Sequence, residues 1–191
     1  MDNPKTLIEL GTKYGTDKGK EGHGYVFSYE QYLFPFKDKP LKIFEIGVRT
    51  GNSVKMWEEY FTNATIFGLD CEPKCKEYET RRIKILTGYQ ENMPYIKAQG
   101  AAIGKIDIIV DDGSHKHSDI CASLEMLSPF LAVGGFYFIE DIDPNQGKEV
   151  VKTYILGLLQ KDKGLEFLKY VKSLKNTGEE LGVLRRKHEY T

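Results

Sequence analysis

Asp111-Asp112-Gly113-Ser114-His115 sets two carboxylates, a turn residue, a hydroxyl and an imidazole within five positions. Glu140-Asp141 adds two more carboxylates directly after an apolar run. Three or four carboxylates gathered at one point, with no cysteine among them, suit a hard divalent cation such as Mg2+. A neighbouring histidine, with an ordinary pKa near 6.5, can take the proton of a hydroxyl whose oxygen such a cation holds. The same residues have plainer uses. Asp111 or Asp112 could cap a following helix, Glu140-Asp141 could form a solvated turn with Asp143, and His115 could be a structural hydrogen-bonding residue. His117 reads as a surface neighbour.

For the two acidic clusters to meet, the runs before them must be neighbouring strands. Ile106-Asp107-Ile108-Ile109-Val110 and Gly135-Phe136-Tyr137-Phe138-Ile139 are short, apolar and closed by polar residues, as buried strands of a parallel sheet are. In open α/β sheets ligands collect beyond the carboxyl ends of the strands, where these acids lie. Further strands are expected at Leu41–Ile46, Thr65–Leu69 and, more weakly, Arg82–Leu86. Helices are expected between them: from Asn52 or Ser53 as cap through Val54, Trp57 and Phe61, then over 71–80, 91–98, 118–131 and 148–160. Residues 165–171 and 181–186 would close the sheet as a hairpin-like pair. Asn3-Pro4 looks like the start of a short N-terminal helix, and 28–36 like a second. Between these helices, residues 14–25 hold four glycines and many polar groups, which predicts a loop that serves as a lid. Strands alternating with helices at this spacing indicate a doubly wound α/β sheet. We expect one domain over residues 1–191, with 1–40 as a helical cap or lid segment and 41–191 as the core.

The first strand runs into Glu45-Ile46-Gly47-Val48-Arg49-Thr50-Gly51-Asn52-Ser53, a strand, a glycine turn and a helix start. Gly47 lets backbone approach a ligand closely, and the free amides of the helix start favour polar or anionic groups. Arg49 stands where the dinucleotide fingerprint has glycine, which argues against a nicotinamide dehydrogenase. Asp70 ends the next strand, where an acid can accept both hydroxyls of a ribose.

Glu45-Ile46-Gly47 and Asp70 resemble the first motif and the ribose acid of class I S-adenosylmethionine-dependent methyltransferases, which have a Rossmann-like, mostly parallel sheet with an antiparallel C-terminal strand. A narrower resemblance runs in order from about residue 10 to 143. It is carried by Tyr14-Gly15-Thr16-Asp17-Lys18-Gly19, His23, Tyr25, Glu45-Ile46-Gly47-Val48, Ser53, Met56-Trp57 and Gly68-Leu69-Asp70. Asp111-Asp112-Gly113-Ser114-His115, Gly134-Gly135 and Ile139-Glu140-Asp141 continue it. These residues are similar to the metal-dependent sugar O-methyltransferases of macrolide biosynthesis, of the mycinamicin and macrocin type, and to cephalosporin hydroxylase-like proteins. The resemblance implies S-adenosylmethionine held by Glu45, Gly47, Ser53, Asp70, Gln90 and Asp111. It implies Mg2+ on Asp112, Glu140 and Asp141, and His115 as general base. Tyr89 departs from the pattern, since an acid is expected before Gln90. Tyr14 and Tyr25 are candidates to stack on a sugar face.

Composition narrows the partners. The 191 residues are 40% hydrophobic and 29% charged, with a net charge of −1. That balance gives no broad electrostatic case for nucleic acid or an anionic membrane, and no apolar run approaches the ~18 residues of a membrane span. Met1–Lys5 lacks the basic and apolar regions of a signal peptide. Cys71, Cys75 and Cys121 are odd in number and unevenly spaced, as reduced thiols of a cytoplasmic protein are. The expected partner is a small sugar or glycoside, with self-association left open. The competing readings are another O- or N-methyltransferase on the same fold and a catalytically silent nucleotide-binding module.

Overall fold

The computed structural model of the chain describes residues 5–145, 147–175 and 177–189. The elements in chain order are α1 (Leu7–Tyr14), α2 (Val26–Leu33), β1 (Lys42–Ile46), α3 (Asn52–Tyr60), β2 (Thr65–Asp70), β3 (Ile83–Thr87) and α4 (Met93–Ile103). There follow β4 (Ile106–Asp111), α5 (His117–Leu127), β5 (Leu131–Ile142), α6 (Lys148–Lys161), β6 (Leu165–Lys172) and β7 (Glu180–Arg186). They build one seven-stranded sheet in the order β3-β2-β1-β4-β5-β7-β6. Strands β1 to β5 run parallel, and β7 lies antiparallel between β5 and β6. The strand order reverses between β1 and β4. This is the topological switch point, where a doubly wound sheet opens a crevice for ligands.

Each strand of the sheet's centre is apolar on both faces because each face is covered. Ile43, Ile108, Val110 and Phe138 join Leu7, Leu10, Tyr29 and Trp57 in one core, under α1, α2 and α3. Phe44, Ile109, Tyr137 and Ile139 join Ile96, Leu124 and Ile155 in the other, under α4, α5 and α6. The alternation follows the two-residue period of a strand. The N-terminal helices therefore lie on a face of the sheet, and only the turns between them reach over the strand ends. Among the described residues no helix is long and apolar enough to cross a membrane.

Local chemistry shifts several element ends from their expected places. Asn3-Pro4 lies outside the described residues. Helix α1 starts at Thr6, whose side chain accepts from the Glu9 amide while Glu9 accepts from the Thr6 amide, a reciprocal cap. Neither Asn52 nor Ser53 caps α3. Gly51 takes that position, and the Ser53 hydroxyl instead donates to Glu45 at 3.0 Å. The helix expected over 71–80 forms only as a 3-10 turn, Pro73–Tyr78. Helix α5 stops at Leu127, because Pro129 has no amide to continue it. A 3-10 turn at Ser128–Phe130 leads to Leu131, which begins β5 rather than ending a helix.

At the end of the sheet opposite the carboxyl ends of β1–β5, Asp162 closes α6 and meets Arg186 of β7 at 2.6 Å, both fully buried. Arg186 also donates to the Ser128 carbonyl. Asp162→Ala would remove one carboxylate of a fully buried, hydrogen-bonded ion pair, so we expect a loss of about 3 kcal/mol of stability, read from the urea midpoint. An unchanged midpoint would refute this.

Candidate active site

The register of the central strands assembles the site. Ile46 pairs with Asp111, so the residues after them, Gly47 and Asp112, are neighbours. The Asp112 amide donates to the Ile46 carbonyl at 3.0 Å, and the Gly47 amide to Leu69 at 2.8 Å. Gly47 has φ 91°, and a Cβ built on it would stand 1.9 Å from the Asp112 carbonyl oxygen. Only glycine fits this crossing.

Beyond these strand ends lies a cavity of about 520 Å³, large enough for a nucleoside-sized ligand. Gly47, Arg49, Ser53, Asp70, Tyr89 and Gln90 line it, with Asp112 and His115 also on its wall. Asp70 anchors the turn beneath: one carboxylate oxygen accepts from the Val48 and Arg49 amides, the other from Glu72, at 2.8–2.9 Å. Burial pushes the Asp70 carboxyl up, but those amides win and hold it below its usual range. It is therefore a charged acceptor at the cavity wall.

Three of the residues assigned to the cofactor also hold the cavity wall and its turn in place. Glu45 and Asp111 are buried behind the cavity wall. Burial pushes each up to about 7. Asp111 accepts from the Gln90 amide nitrogen at 2.8 Å. Gln90 lines the cavity, but its amide is committed. It donates to Asp111 and Ser123, and accepts from the Ser114 amide. Its oxygen thus holds the Asp112–His115 turn, and its nitrogen ties that turn to Asp111 and to Ser123 of α5. The clamp is tight: a Cβ on Gly113 would stand 2.1 Å from the Gln90 carbonyl oxygen.

The acids divide into an inner and an outer side. On the inner side, Lys18 is buried against three carboxylates: Asp112 Oδ2 in contact, Glu140 Oε1 at 3.1 Å and Glu45 Oε1 at 3.6 Å. Burial alone would lower the Lys18 pKa, but those carboxylates outweigh it and hold the ammonium charged. Tyr29 donates to Glu140 from the same side. Burial raises the Glu140 carboxyl well above its usual range, and the charge of Asp112 adds to this. On the outer side, donor atoms of Asp112, His115 and Asp141 lie within 4.8 Å of one another. His115 Nε2 is 3.8 Å from Asp112 Oδ1. The expected metal set is therefore only partly assembled: Asp112 and Asp141 face the open edge with His115, while Glu140 turns inward to Lys18 and Tyr29. The oxygen-rich edge still fits a hard cation. Among the described residues, a second such group joins His23, Asp141 and Glu179.

The non-glycine residues with positive φ among those described are Arg49, His115 and Asp141, all at this site. Such strain persists where the surroundings over-determine a residue's position.

Neither tyrosine candidate offers a free ring face. Tyr25 is buried, stacked on His23, and donates to Asp141 at 2.9 Å. Tyr14 is turned to Glu59 on α3 and is absent from the cavity wall. Residues 15–25 are not an open loop but a chain of turns packed over the site, with Thr16, Lys18, His23 and Tyr25 buried. Lys18, His23 and Tyr29 carried no assigned role in the sequence. A single lysine between Asp17 and Gly19 has no periodicity to betray its burial, and Tyr29 reads as helix core.

No known family profile matches the chain. Sequence comparison finds similarity to the 8-demethyl-8-alpha-L-rhamnosyl tetracenomycin-C 2'-O-methyltransferase of Streptomyces olivaceus, 34% identical over 143 residues, covering 71% of this chain and 37% of that one. Demethylmacrocin O-methyltransferase of Streptomyces fradiae is 32% identical over 143 residues, covering 71% and 36%. The chain thus spans little more than a third of the length of these relatives. In fold it resembles the MycE methyltransferase from the mycinamycin biosynthetic pathway, solved in complex with Mg, SAH and mycinamycin VI. The TM-score is 0.81 at 23% identity, over 96% of this chain and 55% of that one.

Proposed function

This chain is a homologue of the sugar O-methyltransferases and carries the class I methyltransferase fold, and from that premise we propose that it transfers the methyl group of S-adenosylmethionine to a hydroxyl of a sugar or glycosylated small molecule, assisted by Mg2+. One observation carries the reading: a nucleoside-sized cavity at the switch point shares its wall with Asp112 and His115 of the acidic edge. Cofactor and acceptor would thus meet at one rim.

The cofactor would lie over the Gly47 turn, with Asp70 accepting its ribose hydroxyls. Transfer needs the acceptor oxygen in line behind the sulfonium methyl, so alignment is the main contribution asked of the protein. The oxygen forms the new C–O bond as the C–S bond breaks, and the sulfonium becomes a neutral thioether. The hydroxyl proton passes to His115, which the strained turn holds at the rim. A divalent cation on Asp112 and Asp141 would lower the pKa of the bound hydroxyl and fix its orientation. Glu140 supports that edge from behind. The free cysteines and the near-neutral charge favour a cytoplasmic enzyme acting on a small molecule rather than on nucleic acid.

Calorimetry with S-adenosylhomocysteine, and with NAD as a control, tests the cofactor. Binding of the first and not the second is expected. A panel of glycosides and nucleotide sugars, assayed by mass for one added methyl with and without chelator, tests the reaction. Chelator-insensitive turnover would remove the metal from the mechanism, and failure to bind S-adenosylhomocysteine would end the methyltransferase reading.

A further inference from the structure

Lys18 is an ammonium buried inside the acid cluster, and it comes from the turns that roof the cavity. Its neighbours Gly15, Thr16 and Asp17 form part of the cavity wall. The turn that carries it is held at both ends: the Val26 amide donates to the Lys18 carbonyl at 3.0 Å, and the His23 amide to Asp17 at 2.7 Å. Asp112 is shared. Its Oδ2 meets Lys18, while its Oδ1 faces His115 at the open edge.

We propose that Lys18 is a positioning residue that divides the acid cluster, neutralising Glu45, Glu140 and one oxygen of Asp112 so that a single divalent cation is directed to the outer edge, and that it links occupation of that edge to occupation of the cofactor cavity. The inference rests on the reading that this edge takes a cation. Glu45, Asp112 and Glu140 would otherwise offer a divalent ion their whole inner side, away from the rim where the acceptor must lie. A fixed positive charge already fills that side, so the ion is left with Asp112 Oδ1 and Asp141, beside His115. The same ammonium repels the ion and lowers its affinity. An ion drawing on Asp112 also perturbs the partner of Lys18, and with it the Gly15–Asp17 wall. Coupling between two sites through a shared element is reciprocal: each ligand changes the other's affinity by the same factor.

The test uses Mn2+ as the metal probe, titrated by electron paramagnetic resonance, and S-adenosylhomocysteine calorimetry with and without Mg2+. In the native chain Mg2+ should change S-adenosylhomocysteine affinity by about fivefold or more, within the usual range of such coupling. Lys18→Met should bind Mn2+ roughly tenfold more tightly, because a buried like charge has been removed, and should lose the Mg2+ effect on S-adenosylhomocysteine. A purely structural lysine would lower the melting temperature and leave both readouts native, which would overturn the proposal. If Lys18→Met does not fold, the double variant Lys18→Met, Glu45→Gln removes a charge of each sign. Loss of the Mg2+ effect supports the proposal there, and its persistence overturns it. Native protein that binds no Mn2+ would overturn the cation reading along with this one, whereas native binding that is indifferent to Lys18 would overturn this one alone.

Discussion

The His115→Gln enzyme is expected to methylate its acceptor at least about a hundredfold more slowly than the native chain, the usual cost of removing a positioned general base. S-adenosylhomocysteine binding should stay within a few-fold of native. His115 stands on the wall of the cofactor cavity, beside Asp112 and with a ring nitrogen within 4.8 Å of an Asp141 oxygen, in the left-handed region of backbone space. Its ring is partly exposed, so it is poised for a ligand rather than packed as core. Glutamine keeps a polar side chain of similar reach but cannot accept the proton at neutral pH. The measurement is kcat beside a calorimetric titration of the product cofactor. An unchanged kcat would remove His115 from proton transfer. A joint collapse of kcat and binding would make it a structural residue of the turn.

Gly47→Ala should abolish cofactor binding and lower stability together. The added methyl would sit 1.9 Å from the Asp112 carbonyl oxygen, a backbone atom that cannot turn aside. The φ of 91° adds strain of about 1–2 kcal/mol for any residue with a Cβ, and forced overpacking adds about 1–3 kcal/mol more. Relief requires the ends of β1 and β4 to separate, which pulls Asp112 from its place between Lys18 and His115 and opens the cavity wall. We expect a urea midpoint lowered in keeping with that sum and S-adenosylhomocysteine binding weakened beyond about a hundredfold. Gly51→Ala is the internal comparison. It too has a positive φ, but its clash is with the Tyr78 ring, a side chain that can shift. Equal damage from both would mean that left-handed strain alone, not the β1–β4 crossing, makes Gly47 necessary.

Much of this was legible in the chain itself. The β-branched run Ile106–Val110 and the largely aromatic run Phe136–Ile139 call for burial on both faces, so strand, parallel sheet and doubly wound class followed from composition at short range. Glycine at 47 and acid at 70 had to mark a turn and a strand end. The Asp111–His115 and Glu140–Asp141 clusters had to gather at the carboxyl ends of their strands, because successive carboxylates cannot be carried through the middle of a sheet covered on both faces. These are local properties, decided by the period of two and by the solvation cost of charge.

The roles within the clusters were decided elsewhere. Asp111 and Asp112 are adjacent in sequence, but the pleat sends them to opposite sides: Asp111 inward to Gln90 and Tyr137, Asp112 toward Lys18 and His115. Glu140 and Asp141 part in the same way, one to Tyr29 and Lys18, the other to Tyr25 and His23. Gln90, expected at the adenine, became the clamp of the Asp112–His115 turn. Lys18 and Tyr29 reach the acids from residues separated from them by 94 and 111 positions. No local pattern encodes such meetings, since they depend on how two N-terminal helices pack on one face of a sheet whose strands come later. The sequence determined that acids, an imidazole and a glycine turn would share one end of a sheet. Only the tertiary structure decided which acid faces the cavity, which is neutralised from within, and by which cation, because burial and distance belong to the folded chain.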